Sequence, residues 1–319
     1  METVTFSDIE RAHRTLEPVV HHTPLLTSRT FNRLAGNEVW FKAESLQRIG
    51  AFKIRGAYNC IASLTEAERR RGVIAHSSGN HGQGVALAAK LFGIKATVVM
   101  PDNSVSAKVE ATRNYGAEVV FCGRSTDDRE RATSTLIEKH GYILVHPYND
   151  PRLIAGQGTV GLEIFEDLHD LDYLFIPVGG GGLISGCSIA AKHLSPQTKV
   201  IGVETEGAND CYQSFRRKEI VKLDRAQTIA DGMRTLSVGP NNFEIIMKCV
   251  DDVITICDED IHPMMKFFFE RMKIVVEPTG AVAPAAVLKN DGGIRGKKIC
   301  AVISGGNADP EIFRQIVLS

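Results

Sequence analysis

Short apolar, β-branched runs recur along the chain at Glu38–Ala43, Val73–His76, Ala96–Met100, Val119–Cys122, Ile143–His146, Tyr173–Val178, Val200–Glu204, Val253–Ile256 and Ile299–Ser304. Several are apolar throughout instead of alternating, as expected of strands covered on both faces. Between them, helical periodicity predicts helices over Gly82–Leu91, Ser106–Tyr115, Thr126–His140, Leu183–His193 and Ile261–Phe269. Alternation of this kind means parallel βα units, and so an α/β fold of open, mostly parallel sheets flanked by helices. Residues 69–149 read as four tight βα units in succession, enough to close a small sheet of their own. They are expected to form an inserted lobe, with 1–68 and 150–319 making up the larger one. No low-complexity linker or repeat of fixed period interrupts this pattern.

Composition narrows the class. The chain has 319 residues, 43% hydrophobic and 24% charged, the values of an ordinary globular protein. A net charge of −1 and the lack of long like-charge runs give no electrostatic footprint for nucleic acid or an anionic membrane, so the expected ligand is a small molecule. The seven cysteines fall at 60, 122, 187, 211, 249, 257 and 300 with no Cys-x-x-Cys pair, which suits buried thiols in a reducing compartment. The opening residues lack the basic and apolar segments of a secretory signal, and no apolar run approaches the ~20 residues of a membrane span. A cytoplasmic location is expected.

Four segments carry candidate chemistry. Pro177-Val178-Gly179-Gly180-Gly181-Gly182 follows an apolar strand and opens a helical pattern. Glycines there let backbone N–H groups close on an anion at a helix N-terminus, so this reads as a phosphate cradle, the alternative being a tight turn without a ligand. The spacing is neither the dinucleotide G-x-G-x-x-G nor a P-loop. In Gly50-Ala51-Phe52-Lys53-Ile54-Arg55-Gly56-Ala57 a lysine sits between apolar neighbours. Desolvation favours the neutral amine that attacks an aldehyde, although the same pattern fits a lysine snorkelling to the surface. His76-Ser77-Ser78-Gly79-Asn80-His81 ends a strand and precedes a helix, offering hydroxyls, an amide and backbone donors for a carboxylate, or simply an N-capping turn. Ser304-Gly305-Gly306-Asn307 ends the last strand in the same way.

In this order and context, the four segments resemble the fold-type II pyridoxal-phosphate enzymes, in particular the serine/threonine dehydratase and serine racemase family with its 3-hydroxyaspartate dehydratase branch. The resemblance runs from His22-Thr23-Pro24-Leu25 to Ser304-Gly305-Gly306-Asn307. It implies pyridoxal 5′-phosphate held as a Schiff base on Lys53, Phe52 near the ring, Asn80 on the phenolic oxygen, Gly179, Gly180, Gly181 and Gly182 on the phosphate, and Ser304 facing the ring nitrogen. A serine at that last place does not enforce a protonated ring, which suits elimination. The resemblance further implies that His76, Ser77, Ser78, Gly79 and His81 bind the substrate.

Ser78 points to the racemase branch, where a second proton donor faces the substrate opposite the lysine. Glu204, Ala208 and Asp210 match that branch's divalent-cation site, two carboxylates and a carbonyl suited to Mg²⁺, Ca²⁺ or Mn²⁺, where spacing alone would allow a solvated acidic turn. By contrast, His146-Pro147-Tyr148-Asn149-Asp150 is closer to the dehydratases. The resulting expectation is a homodimeric lyase that eliminates water, then ammonia, from L-serine- or L-threonine-type β-hydroxy amino acids, with racemase activity as the alternative. Arg129 and His76 are candidates for recognising a second carboxylate, which would favour 3-hydroxyaspartate. Two rivals fare worse: the intact Lys53, Ser78 and Ser304 argue against a non-catalytic binding module, and the glycine spacing against a nicotinamide oxidoreductase.

Overall fold

A computed structural model describes residues 4–77, 79–104 and 106–317. Ten strands form two sheets. They are β1 (Leu25–Thr27), β2 (Glu38–Ala43), β3 (Val73–His76), β4 (Ala96–Pro101), β5 (Glu118–Cys122), β6 (Ile143–Leu144), β7 (Tyr173–Pro177), β8 (Lys199–Thr205), β9 (Asp252–Ile256) and β10 (Lys298–Ile303). The larger sheet has the order β1-β2-β10-β7-β8-β9 and the smaller β5-β4-β3-β6. Every pairing is parallel except that of β1 with β2. This is the expected α/β architecture.

Strand order locates two crevices. In the larger sheet the chain runs outward from β7 to β8 and β9, then returns to place β10 on the other side of β7. In the smaller sheet it runs from β3 to β4 and β5, then places β6 on the far side of β3. Ligands of open α/β sheets bind beyond the carboxyl ends of strands where the order reverses. Those ends carry residues 178–182 and 304–307 in one sheet, and 77, 79–81 and 145–149 in the other.

Sequence and structure part company at several elements. β1 is a three-residue antiparallel edge strand, too short for any period to show. β6 stops at Leu144 because His146 Nδ1 accepts the N–H groups of Tyr148 (3.2 Å) and Asn149 (2.9 Å) and turns the chain away. The helices Lys53–Ala62, Pro151–Asp167 and Pro278–Lys289 have no counterpart among the amphipathic patterns. In Pro151–Asp167, residues 153–165 are all buried, so no polar face marks a helical period.

Glycines bring this buried helix against its neighbours. A Cβ on Gly156 would lie 2.7 Å from the Arg55 carbonyl oxygen, and one on Gly186, in the helix Gly182–Leu194, would strike the backbone of Ile154 and Gly158. The helix Lys53–Ala62 is thereby wedged between Pro151–Asp167 and Asn80–Leu91, where a Cβ on Gly84 would lie 3.2 Å from the Lys53 carbonyl. Residues 49–64 share their apolar core with β3, β4 and the helix Asn80–Leu91. Gly186→Ala should therefore lower the urea midpoint by an amount equivalent to about 1–3 kcal/mol, despite alanine's better helix propensity. An unchanged midpoint, followed by circular dichroism, would refute this packing account.

Candidate active site

Lys53 is the first residue of its helix, and its backbone neighbour is tied to the last strand: the Phe52 N–H donates to the Ser304 carbonyl (3.1 Å), and Ala51 bridges Gly305. The Lys53 amine is half-buried, donates to the Pro147 carbonyl (2.8 Å) and lies 5.1 Å from the centre of the Phe52 ring. Burial pushes its pKa down to about 8, against an opposing pull from the Glu277 carboxylate. Close to neutral pH this lysine therefore supplies a useful fraction of free amine.

The glycine loop joins the same centre through residue 148. The Tyr148 ring lies directly over Gly180, leaving no room for a Cβ there, and a Cβ on Gly182 would be 3.1 Å from the Tyr148 carbonyl. Gly181 has φ +95°, a left-handed conformation that glycine adopts without strain. Asn242 Nδ2 holds the loop by donating to the carbonyls of Gly180 (2.7 Å) and Tyr148 (3.1 Å). Gly182 then opens the helix Gly182–Leu194, whose N-cap, Gly181, has no side chain to accept from the first N–H groups. Ser304, 2% exposed at the end of β10, has a hydroxyl with no hydrogen-bond partner. A buried hydroxyl without a partner is costly, and a ligand atom that accepts from it would relieve that cost.

The turn after β3 faces this arrangement from the smaller sheet. Ser77 Oγ accepts the Gly79 N–H (3.2 Å), and a side chain at Gly79 would meet nothing within contact range. Asn80 Nδ2 donates to Glu277 Oε1 (2.7 Å). Buried His81 bonds the Val145 carbonyl through Nε2 (2.8 Å), which leaves Nδ1 as an unpartnered acceptor, and burial holds its pKa well below the usual histidine value. His76 and His146 meet edge to face, 6.3 Å apart. Burial, reinforced by Arg129, lowers His76; burial, reinforced by His76, brings His146 down to about 4. Arg129, on the helix Thr126–His140, is thus within electrostatic range of His76. Ser78 lies outside the described residues.

Glu204 and Asp210 are buried near one another, and both carboxyls are raised, chiefly by burial. Glu204 caps the helix Asp210–Arg217, accepting from the N–H groups of Cys211 (3.2 Å) and Tyr212 (2.6 Å). Asp210 reaches about 7, and neither of its oxygens meets a donor at bonding geometry; Thr235 and Val238 are neighbours that only soften the effect. Ala208 is buried beside them, bridged to Thr205. Among the described residues no cluster of three His, Cys, Asp or Glu side chains forms.

Sequence reasoning did not single out the Pro147 carbonyl, the Tyr148 ring or Glu277. A main-chain acceptor has no sequence signature, and Glu277 lies 224 residues from Lys53 (277 − 53) with no pattern to connect them.

A depressed lysine amine, a glycine loop at a helix start and an orphaned hydroxyl, gathered at the switch points of two parallel sheets, define an α/β enzyme whose ligand carries both a phosphate and an amine-reactive group. Residues 16–305 match the family model described as pyridoxal-phosphate dependent enzyme, and the chain belongs to that family. It is 48% identical to an L-threonine ammonia-lyase of Thermotoga maritima, over 98% of this chain and 78% of that protein. It is 45% identical to an L-threo-3-hydroxyaspartate ammonia-lyase of Saccharomyces cerevisiae, over 98% and 96% respectively. The structure of maize serine racemase superposes with a TM-score of 0.95 at 38% identity, covering 98% of this chain and 97% of that one.

Since only the neutral amine attacks an aldehyde, pyridoxal phosphate uptake by the apoprotein should quicken roughly tenfold per pH unit below the lysine's pKa and level off near pH 8. Stopped-flow absorbance from pH 6 to 9.5 tests this, and a flat profile would contradict the placement of a depressed amine at position 53.

Proposed function

We propose that this protein is a pyridoxal-phosphate ammonia-lyase, with Lys53 as the cofactor's attachment point and a β-hydroxy amino acid of the L-serine or L-threonine type as substrate. The observation that carries the reading is the Lys53 amine, held on the Pro147 carbonyl (2.8 Å) and lowered by burial to about 8, on a segment whose Phe52 N–H is bonded to the carbonyl of Ser304, the residue with the unpartnered hydroxyl. Pyridoxal phosphate, when bound, supplies an aldehyde for the substrate's amine and a ring that spreads the charge left by α-proton removal.

Each residue's part follows from its chemistry. Backbone N–H groups of Gly179 to Gly182 would hold the phosphate, Ser304 would donate to or accept from the ring nitrogen, Asn80 would donate to the phenolic oxygen, and Phe52 would pack near the ring. Ser77, Gly79 and His81, with Ser78, would orient the substrate carboxylate. Once the substrate's amine has displaced it from the cofactor, the Lys53 amine would take the α-proton and then give it to the departing hydroxyl, so that water leaves; the enamine released would tautomerise to an imine, whose hydrolysis gives ammonia and a 2-oxo acid. Assigning Ser78 as the proton donor on the opposite face adds racemisation as a side activity.

A second substrate reading rests on Arg129 acting on His76. The Arg129 guanidinium as a cation, with the neutral His76 ring as an N–H donor, would suit a substrate with a second carboxylate, namely 3-hydroxyaspartate. The proposal also includes a divalent cation, Mg²⁺, Ca²⁺ or Mn²⁺, on Glu204, Asp210 and the Ala208 carbonyl. Support comes from the orphaned, buried Asp210 carboxyl, whose charged form needs a cation. Such an ion would brace the turn ahead of the helix Asp210–Arg217. The lobe division at 68/69 and 149/150 belongs to this reading, supported by the two separate sheets. So does a homodimer, supported by exposed Val275 and by Phe269, which packs on Phe313. A cytoplasmic location is supported by seven free cysteines. Among the described residues no helix is long and apolar enough to cross a membrane.

The yellow holoprotein should release 2-oxo acid from L-serine and L-threonine, and Lys53→Ala should abolish both the colour and the turnover. Borohydride reduction and peptide mapping should place the label on Lys53. Equal turnover of serine and 3-hydroxyaspartate would remove the basis for the second substrate reading, and chiral analysis of the same mixtures measures racemisation. Mg²⁺ at a hundredfold excess over its Kd should stabilise the protein by about 2.7 kcal/mol, seen as a rise in Tm that Asp210→Asn removes. An identical rise in that variant would place the ion elsewhere.

A further inference from the structure

Glu277 and Asn307 belong to neither the glycine loop nor the lysine segment, yet they meet at Asn80. Glu277 is 3% exposed and precedes the helix Pro278–Lys289; its N–H donates to the Gly305 carbonyl (3.2 Å). Asn307 Nδ2 donates to Asn80 Oδ1 (2.8 Å) and to the Ile49 carbonyl (2.6 Å). Asn80 Nδ2 in turn donates to Glu277 Oε1 (2.7 Å).

The direction of this chain is fixed at one end by the Ile49 carbonyl, which can only accept, and at the other by Glu277, which in its charged form can only accept. The Ile49 carbonyl requires the NH₂ end of Asn307, so Asn307 has a donor to offer, and Asn80 must turn its oxygen to it. The Glu277 carboxylate requires an N–H from Asn80 on the opposite side. An amide in the reversed orientation would set NH₂ against NH₂ at one end and oxygen against oxygen at the other. One Asn80 N–H is thereby left for a further acceptor.

We infer that Glu277 and Asn307 are positioning residues that lock the Asn80 amide so that its remaining N–H faces the phenolic oxygen of bound pyridoxal phosphate. The inference rests on the proposed attachment of the cofactor at Lys53. Burial, with the nearby Asp231 carboxylate adding to it, raises Glu277 to about 7, while Lys108 and the Asn80 bond oppose the rise. Lys108 reaches across from the helix Ser106–Asn114 to pair with Asp231, and Lys53 is the other cation within range. The carboxyl is thus poised so that the donor from Asn80 matters to its charge. A glutamine at 277 replaces one carboxylate oxygen by an NH₂ and removes the negative charge to which the Asn80 N–H donates, so the acceptor that holds the Asn80 amide is weakened.

Glu277→Gln and Asn307→Ala are tested as holoproteins beside the wild type. Three readouts are taken: the borohydride label, the visible absorbance band titrated from pH 6 to 10, and the Kd for pyridoxal phosphate from fluorescence of reconstituted apoprotein. Both variants are expected to keep the label on Lys53, to shift the absorbance band or its pH midpoint, and to bind the cofactor about tenfold more weakly, the scale of one lost hydrogen bond. Asn307→Ala carries the test alone if Glu277→Gln does not unfold cooperatively. Labelled variants with the wild-type spectrum, midpoint and Kd would overturn the inference while leaving the attachment at Lys53 intact. A wild type labelled elsewhere would overturn both.

Discussion

Arg55 holds the architecture of the site together. It is entirely buried two residues beyond Lys53, and its guanidinium binds Glu44 through Nε (2.9 Å) and Glu163 through both terminal nitrogens (2.5 and 2.9 Å). Lys42 shares Glu163 (2.6 Å), and the Thr23 hydroxyl shares Glu44 (2.6 Å). Two cations face two carboxylates with nearly every donor satisfied, the condition under which buried charge is tolerated. Burial alone would raise Glu163, but Arg55 and Lys42 hold it below its ordinary value. The cluster ties β2, the segment ahead of β1, the helix Pro151–Asp167 and the lysine's own helix into one unit. Removing any one partner would strand the others in the interior, so the start of the Lys53 helix has little freedom to move.

From that fixed point the chemistry follows by burial. The crevice disfavours charge: it lowers Lys53, His76, His81 and His146 and raises Glu277. A low-polarity site favours the neutral lysine amine, the form that the proposed role requires, and keeps neighbouring imidazoles from competing as cations. The cost is several polar groups without partners, Ser304 Oγ and His81 Nδ1 among them. Those groups mark where a ligand would supply the missing hydrogen bonds. Similarity to ammonia-lyases and to a racemase alike fits such a site, because both kinds of reaction begin with loss of an α-proton.

The cross-strand register explains how distant segments converge. Ser304 follows β10, which lies between β2 and β7, so it stands beside the glycine loop that follows β7. Residues 79–81 and the segment 145–149 are neighbours because β3 pairs with β6, and His81 bonds the Val145 carbonyl. Pro147 then reaches Lys53 and Tyr148 reaches Gly180, so a single connection joins the cofactor's proposed lysine to its phosphate loop.

Much of this was legible in the residues themselves. Apolar, β-branched runs located nine of the ten strands among the described residues, several of them apolar throughout because the sheet is covered on both faces. Glycine clustering at 179–182 marked the loop through its local backbone requirements, whereas the Phe-Lys-x-Arg-Gly context at 52–56 pointed to the lysine only through its resemblance to a family, since local pattern alone fits a surface lysine as well. Tertiary structure alone decided the rest. The helix Pro151–Asp167 shows no period because it is buried on every side. Arg55 reads as an ordinary charged residue until Glu44 and Glu163 surround it, and Glu277 becomes part of the site only when β10 brings residues 305–307 against it. Local sequence encodes conformational preference and chemical type, whereas pKa values, amide orientation and hydrogen-bond partnership depend on what the fold packs nearby.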